Sequence, residues 1–346
     1  MATRRKTTQK DIARLAGVSQ ATVSLVLNGG PEARARIPEE TRARVQEVIR
    51  ETGYVANPMA RRIKSGRNRI LGVFTYEPAF PSGHSDFFAP FLQGIEEEAQ
   101  EQGHDLLLLT GAARGMPRRI YADGARFHIA DGCVLIGRDF DRDELARLMA
   151  EDYPFVAIGR RDDIGGRAVP CIACDYPGAT RALVARAQAF GHAAFAYVGD
   201  VTEAESSRDR WDGFEAALRP ADRLVAQVAA PQSLAAAEIL DAVLRSGATV
   251  AFFTDLVDAV RVEAEAARRG LALPGALSVV VLGSHQRPPH EPRRRFTTFD
   301  LPREEMGRRA TAMLIEQIGT GAAGDQVLLQ CEVVEGDTLG PVKERM

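Results

Sequence analysis

The sequence predicts a basic, all-α N-terminal unit joined to an α/β body of two doubly wound, parallel-sheet lobes. Three observations carry that expectation. Residues 1–67 hold 14 Lys and Arg against six acids, a net of +8, whereas the other 279 residues carry a net of −11. Opposite signs of this kind suit a head for a polyanion and a body with a different task. Cap and turn residues divide the head into three short helices. Beyond it, apolar runs alternate with helical patterns over about 280 residues, which implies parallel sheets with covering helices.

In chain order, Thr8 caps the first helix through its hydroxyl, and Asp11 sits at the positive end of the helix dipole. Ile12, Leu15 and Ala16 fall on one face. Gly17 supplies a permissive turn, Val18 plugs the small core, and Ser19 caps a second helix over residues 20–27. Residues 28–31 (NGGP) stop it. A third helix opens at Pro38, a favoured first helical position, with Glu39 and Glu40 behind it. It buries Val45, Val48 and Ile49 and ends at Gly53. Two helices joined by a glycine turn and braced by a third, in a basic unit, read as a helix-turn-helix. Its second helix would lie in the major groove of double-stranded DNA, with early residues at base edges. A generic three-helix module is the bland alternative.

In the body, residues 69–75, 105–110, 132–136 and 155–158 read as strands. Residues 87–102 and 144–150 read as helices, with Glu96, Glu97 and Glu98 on a solvated face. A second half repeats the rhythm: helix 176–190, strand 194–199, helix 208–218, then 234–245, 250–254, 257–269 and 277–282. Two such halves bind ligand in the cleft between them, at the carboxyl ends of the strands. No apolar run approaches the roughly 20 residues that span a bilayer, so no membrane partner is expected. The N-terminus has no signal-peptide stretch and four cysteines make no disulfide framework, so the expected location is the cytoplasm.

Catalytic constellations are thin. There is no dinucleotide fingerprint, phosphate-binding loop or His-Glu-x-x-His, so no catalytic residue, metal or cofactor is expected. Cys171 and Cys174 have metal-like spacing without a second ligand pair, and read as packing, as do Cys133 and Cys331. His104 and His192 each follow a helix-ending glycine and read as caps or packing. A cytoplasmic enzyme or ligand-binding protein with a basic head is the alternative reading, which turnover of a candidate ligand would favour.

Several segments resemble the lactose/galactose/purine repressor (LacI-type) family: residues 8–28 (TQKDIARLAGVSQATVSLVLN), 36–45 (RIPEETRARV), Gly53-Tyr54 and 57–66 (NPMARRIKSG). The resemblance continues through the body, where it implies a fold like a periplasmic sugar-binding protein with three crossings between lobes. It implies a helix-turn-helix domain at 1–56, a hinge helix at 57–68 and an effector-binding and dimerisation core at 69–346. Lobe 1 would comprise about 69–174 and 300–328, and lobe 2 about 175–299 and 329–346. Ser19, Gln20, Ala21, Thr22 and Ser24 occupy operator-contacting positions by this resemblance; Thr8, Asn28, Tyr54, Asn57 and Ala60 complete the set with Leu25 and Ile63. Leu25 stands where Arg is commoner and offers only apolar contact. Ile63 stands at the position of the minor-groove wedge, in a segment that is compatible with a flexible basic linker when free.

For the effector, the resemblance of residues 208–214 (RDRWDGF) makes Arg210 the ligand-fixing residue, alternatively a structural ion pair. Phe87 and Phe88 match aromatic wall positions behind a loop enlarged by residues 77–85; Arg160, Thr254 and Asp255 match cleft-facing ones. Ser284 and His285 replace an aromatic and an Asp, although His285 also reads as a plain loop residue. Cationic donors at Arg160, Arg210 and His285 with few carboxylates favour a small acidic metabolite over a neutral sugar. The resulting expectation is a ligand-responsive transcriptional regulator, a repressor, acting as a homodimer on a palindromic operator. The C-terminus has no Leu heptad for a tetramerising coiled coil.

Overall fold

A computed structural model describes residues 7–28, 36–54, 67–77, 87–111, 118–122, 126–201, 204–229, 233–283 and 294–342. The chain divides into two compact units, Met1–Arg69 and Ile70–Met346.

The first unit holds α1 (Gln9–Ala16), α2 (Gln20–Asn28) and α3 (Glu39–Thr52). Thr8 and Asp11 form a reciprocal capping box: Thr8 Oγ1 accepts from Asp11 N at 3.3 Å, and Asp11 Oδ2 accepts from Thr8 N at 3.0 Å. Gly17 adopts the left-handed conformation (φ 64°) that turns the chain toward α2. Ser19 Oγ then accepts from Thr22 N at 3.1 Å. Ile12, Ala13, Ala16, Val23, Val26, Ile37 and Val45 form a small closed core, against which Val18, Val48, Ile49 and Tyr54 pack. Arg44 Nε donates to the Ala16 carbonyl at 3.0 Å, bracing α3 on the end of α1. Two expectations fail. Leu15 is 54% exposed, because it lies roughly 100° around the helix from the centre of the Ile12–Ala13–Ala16 stripe. Pro38 is the N-cap of α3, in extended backbone, rather than its first helical residue.

The second unit contains two parallel sheets. The elements of the first are β1 (Ile70–Thr75), α4 (Ala89–Glu101), β2 (Asp105–Leu109), β3 (Gly132–Ile136), α5 (Arg142–Ala150), β4 (Phe155–Ile158) and β5 (Cys171–Cys174). The second has α6 (Tyr176–Ala189), β6 (Ala194–Val198), α7 (Glu205–Ala217), β7 (Arg223–Val228), α8 (Ala236–Arg245), β8 (Val250–Phe253), α9 (Leu256–Arg268) and β9 (Ser278–Val281). The chain continues through β10 (Thr298–Asp300), α10 (Arg303–Thr320), β11 (Gln326–Leu329) and β12 (Glu332–Val334). Sheet order is β11-β5-β4-β3-β1-β2 in lobe 1 and β7-β6-β8-β9 in lobe 2, all pairs parallel, while β10 and β12 pair antiparallel. The chain therefore passes between lobes at β5–α6, at β10–α10 and at β11–β12.

Central strands are apolar on both faces, as parallel strands covered by helices must be. β3 and β4 are buried along their whole length. α10 lies against α4 with backbones in close approach: a Cβ on Gly94 would fall 1.9 Å from the Glu304 carbonyl, and one on Gly307 would fall 2.2 Å from the Phe91 carbonyl. Glu98 corrects the expected solvated triplet. It falls on the Phe91–Gly94–Ile95–Ala99 stripe of α4 and is buried, its carboxylate accepting from Gln102 Nε2 at 3.2 Å. Cys133, Cys171 and Cys174 are buried and Cys331 half-buried.

Candidate functional site

α2 of the first unit presents two faces. Val23 and Val26 point into the core, and on the other side Gln20, Ala21 and Leu25 (39% exposed) are exposed, with Ser24 half-buried beside them. The 100° step of an α-helix groups positions 20, 21, 24 and 25 on one stripe. Ser19 and Thr22 couple through their hydroxyls at 2.9 Å, so the residues at the start of the helix are held in place by the cap. Thr8 is exposed at the α1 cap, and Tyr54 is half-buried on the head core. Asn57, Ala60 and Ile63, and the Asn28 side chain, lie outside the described residues.

In the second unit a cavity of about 500 Å³ opens at the carboxyl ends of β1, β3 and β4, where Glu77, Gly137 and Gly159 follow the strands. Phe87, Phe88 and Phe91 wall it; their rings meet edge to face, with Phe87 centroids 5.4 Å from Phe88 and 5.2 Å from Phe91. Tyr176, Ser206 and Asp209 close it from lobe 2.

The charges around it are paired across the lobes. Arg160 Nε donates to both Asp209 oxygens (3.0 and 2.9 Å), its Nη2 reaches Asp209 Oδ1 at 2.6 Å and its Nη1 reaches Asp162 at 2.7 Å. The hydrogen bonds it donates to Asp209 hold the Arg160 guanidinium above its ordinary pKa. Arg161, with its side chain 5% exposed, donates to Glu205 at 2.9 Å and to the Gly137 carbonyl at 2.8 Å, and stacks 3.7 Å from the Phe140 ring centre. Its burial lowers its pKa against the opposing pull of Glu205. Arg208 reaches Asp162 at 2.6 Å. Burial pushes the Asp162 carboxyl up, but hydrogen bonds from Arg160 and Arg208 hold it below the usual range. Three cations and three carboxylates thus join the segment after β4 to the first turns of α7.

This geometry corrects the expected cationic cleft. The described charges lining the cavity are Glu77, Arg138, Asp139, Arg160, Arg161 and Asp209, which cancel formally. Arg160 lines the cavity as expected, and its guanidinium is paired there with two aspartates. Arg210 does not line the cavity: it is 2% exposed, with Nε donating to the Leu282 carbonyl at 2.6 Å and Nη1 to the Ser206 carbonyl at 2.7 Å. Its guanidinium lies 3.9 Å from the ring centre of Tyr176, whose phenol burial pushes up to about 12, so Arg210 backs the wall that Tyr176 presents. Thr254 bonds the Val198 carbonyl and Asp255 caps α9 through Val257 N at 2.8 Å; neither lines the cavity. His285 lies outside the described residues. Asp209, Glu205, Arg161 and Asp162 were missed by sequence reasoning, although Asp209 stands inside the motif that drew attention to Arg210. Among the described residues no group of His, Cys, Asp or Glu could hold a metal ion, and no helix is long and apolar enough to cross a membrane.

Residues 8–57 match the family model of bacterial regulatory proteins, lacI family, and residues 184–339 that of the periplasmic binding protein-like domain. The HTH-type transcriptional regulator GntR of Pseudomonas aeruginosa is 30% identical over 93% of this chain and 92% of its own length. The HTH-type transcriptional regulator AglR of Rhizobium meliloti is 37% identical over 49% of this chain, an alignment that spans 46% of that protein. The crystal structure of the Lac repressor dimer bound to operator and the anti-inducer ONPF superposes with a TM-score of 0.77 at 20% identity, covering 97% of this chain and all of that one. Head, body and full-length relative agree: the chain is a DNA-binding transcriptional regulator and belongs to the LacI family of bacterial regulatory proteins.

Proposed function

We propose that this regulator represses transcription as a homodimer on a palindromic operator, and that a small, neutral sugar-type molecule in the interlobe cavity sets its operator affinity. The observation that carries the reading is the cavity itself. Both lobes close it, phenylalanine faces suit the C–H surfaces of a sugar ring, and Asp139 supplies a carboxylate for hydroxyl protons. Among the described residues the charges at the wall balance, which favours a neutral molecule over an anion. The Lac repressor structure, with dimer, operator and anti-inducer together, supports the same division of labour. The DNA surface comprises Ser19, Gln20, Ala21, Thr22, Ser24 and Leu25, with Thr8, Asn28 and Tyr54 beside them, and a hinge at 57–68 carrying Asn57, Ala60 and the wedge Ile63.

Two experiments test the reading. Selection of genomic fragments by the full chain is expected to return inverted repeats bound by two chains, with affinity that falls steeply with salt as counterions are released. Recovery of no inverted repeat, or binding by a single chain, overturns the dimer. Calorimetry against matched neutral and acidic sugars is expected to favour the neutral member, and Asp139→Asn to weaken it; tight binding of the acidic member alone refutes the sugar assignment.

A further inference from the structure

Although the head is basic, α2 (QATVSLVLN) carries no charged residue. The helix that meets the bases therefore holds no Arg or Lys, whose bidentate reach to guanine O6 and N7 is the commonest base contact. Nor does it hold an Asp or Glu to accept from cytosine N4. Readout is left to one amide, a few hydroxyls and apolar groups. The Ser19 and Thr22 hydroxyls bond each other at 2.9 Å, and Ser19 Oγ accepts from Thr22 N at 3.1 Å, so both serve the cap. Gln20, Ala21 and Leu25 are exposed on the side away from Val23 and Val26, and Leu25 stands outside the apolar cluster of the head. An apolar side chain on a surface that meets DNA needs an apolar partner, and the major groove offers one such group, the C5 methyl of thymine. We propose that α2 reads adenine–thymine pairs: Gln20 bonds one adenine, and Ala21 and Leu25 pack on the methyls of two thymines. The proposal rests on the DNA surface assigned above.

Each side chain has its own part. Gln20 Oε1 accepts from adenine N6–H and its Nε2 donates to adenine N7, a pairing that no other base offers in the major groove. Ala21 and Leu25 are separated by roughly 6 Å along the helix axis, more than the rise of about 3.4 Å between stacked bases, so they meet different base pairs. Leu25 is the larger of the two, and its thymine carries the larger effect. The half-hidden hydroxyl of Ser24 bonds donors and acceptors alike and adds little preference. Phosphate binding falls to cations of the head outside α2. Sequence choice and salt dependence are therefore carried by different residues.

The test uses the full chain and a DNA site that it selects. Each thymine of the site is replaced in turn by deoxyuridine, which lacks only the methyl, and each adenine by 7-deazaadenine, which lacks the N7 acceptor. The parent chain is expected to bind about fourfold more weakly when the Leu25 thymine loses its methyl, the worth of one buried methylene. One adenine is expected to show a loss of about fivefold, the lower end for a bidentate contact. Leu25→Ala is expected to bind the thymine and uracil sites alike at that position, to keep the adenine effect and to leave the slope of log affinity against log salt unchanged. Gln20→Ala is expected to lose the adenine effect, and Leu25→Arg to move the selected base at the Leu25 position to guanine. Both side chains are exposed, so these substitutions leave the head core intact. A parent chain indifferent to every uracil, or a Leu25→Ala variant that keeps the full uracil sensitivity of the parent, overturns the proposal. The scans need only a selected site, inverted or not, so their failure is distinct from failure of the palindromic dimer.

Discussion

Replacing Glu205 by Gln keeps the shape of the α7 N-terminus but leaves Arg161 as a buried cation whose carboxylate partner is gone. Removing one partner of a buried ion pair costs about 3–5 kcal/mol. Arg161 retains the Gly137 carbonyl at 2.8 Å and the Phe140 face at 3.7 Å, which places the expected loss toward the lower end. We expect about 3 kcal/mol, or a melting-temperature drop of roughly 6–12 °C for a unit of this size. The more exposed pair offers an internal contrast: Arg208 is 41% exposed, so Arg208→Ala should cost less than about 1 kcal/mol. Urea denaturation of the parent chain, Glu205→Gln, Arg161→Met and the double variant gives the pairwise coupling, expected to be about 2 kcal/mol. Additivity within about 0.5 kcal/mol would show that the two lobes are not joined through this pair.

Further perturbations probe the frame around the site. Gly307→Ala drives a methyl into the Phe91 carbonyl and should lower stability by about 2–3 kcal/mol with an unchanged denaturant slope, and a neutral result would contradict the α4–α10 contact. Thr8→Ala breaks the α1 capping box and should cost the head about 1 kcal/mol, read as faster amide exchange along α1 in the full chain. His192 is buried, Nε2 donating to the Gly340 carbonyl and Nδ1 accepting from Thr249, both at 2.9 Å, and burial depresses its pKa. The unfolded chain therefore takes up a proton before the folded one does, and stability should fall as the pH drops below the ordinary histidine value of about 6.5. A His192→Asn variant should lose that part of the slope; an identical pH profile would refute the assignment.

What the sequence made legible follows from the range of the interactions. The head was readable because its determinants are local: Thr8 with Asp11, the left-handed Gly17 and Ser19 with Thr22 each act within three residues. Central strands such as β3 were readable because burial on both faces leaves an unbroken apolar run. Edge strand β7 (RLVAQV) begins with a charge and carries Gln227, and β5 (CIAC) is framed by two cysteines whose spacing invited a different reading, so neither showed a strand pattern. The ion-pair cluster was not legible, since Arg160, Arg161 and Asp162 meet Glu205, Arg208 and Asp209 only after β5 and α6 have been threaded between them. Arg210 was visible as a motif residue, but whether it faced the cavity depended on Tyr176, 34 positions earlier, lying across it.

The central claim is that occupancy of the interlobe cavity changes operator affinity. Its most direct test is the dissociation constant of the full chain for its selected operator, measured at fixed salt with and without a saturating neutral sugar already shown by calorimetry to bind. The account predicts a change of at least about fivefold, the lower range of allosteric coupling. An unchanged constant with the sugar bound would contradict it.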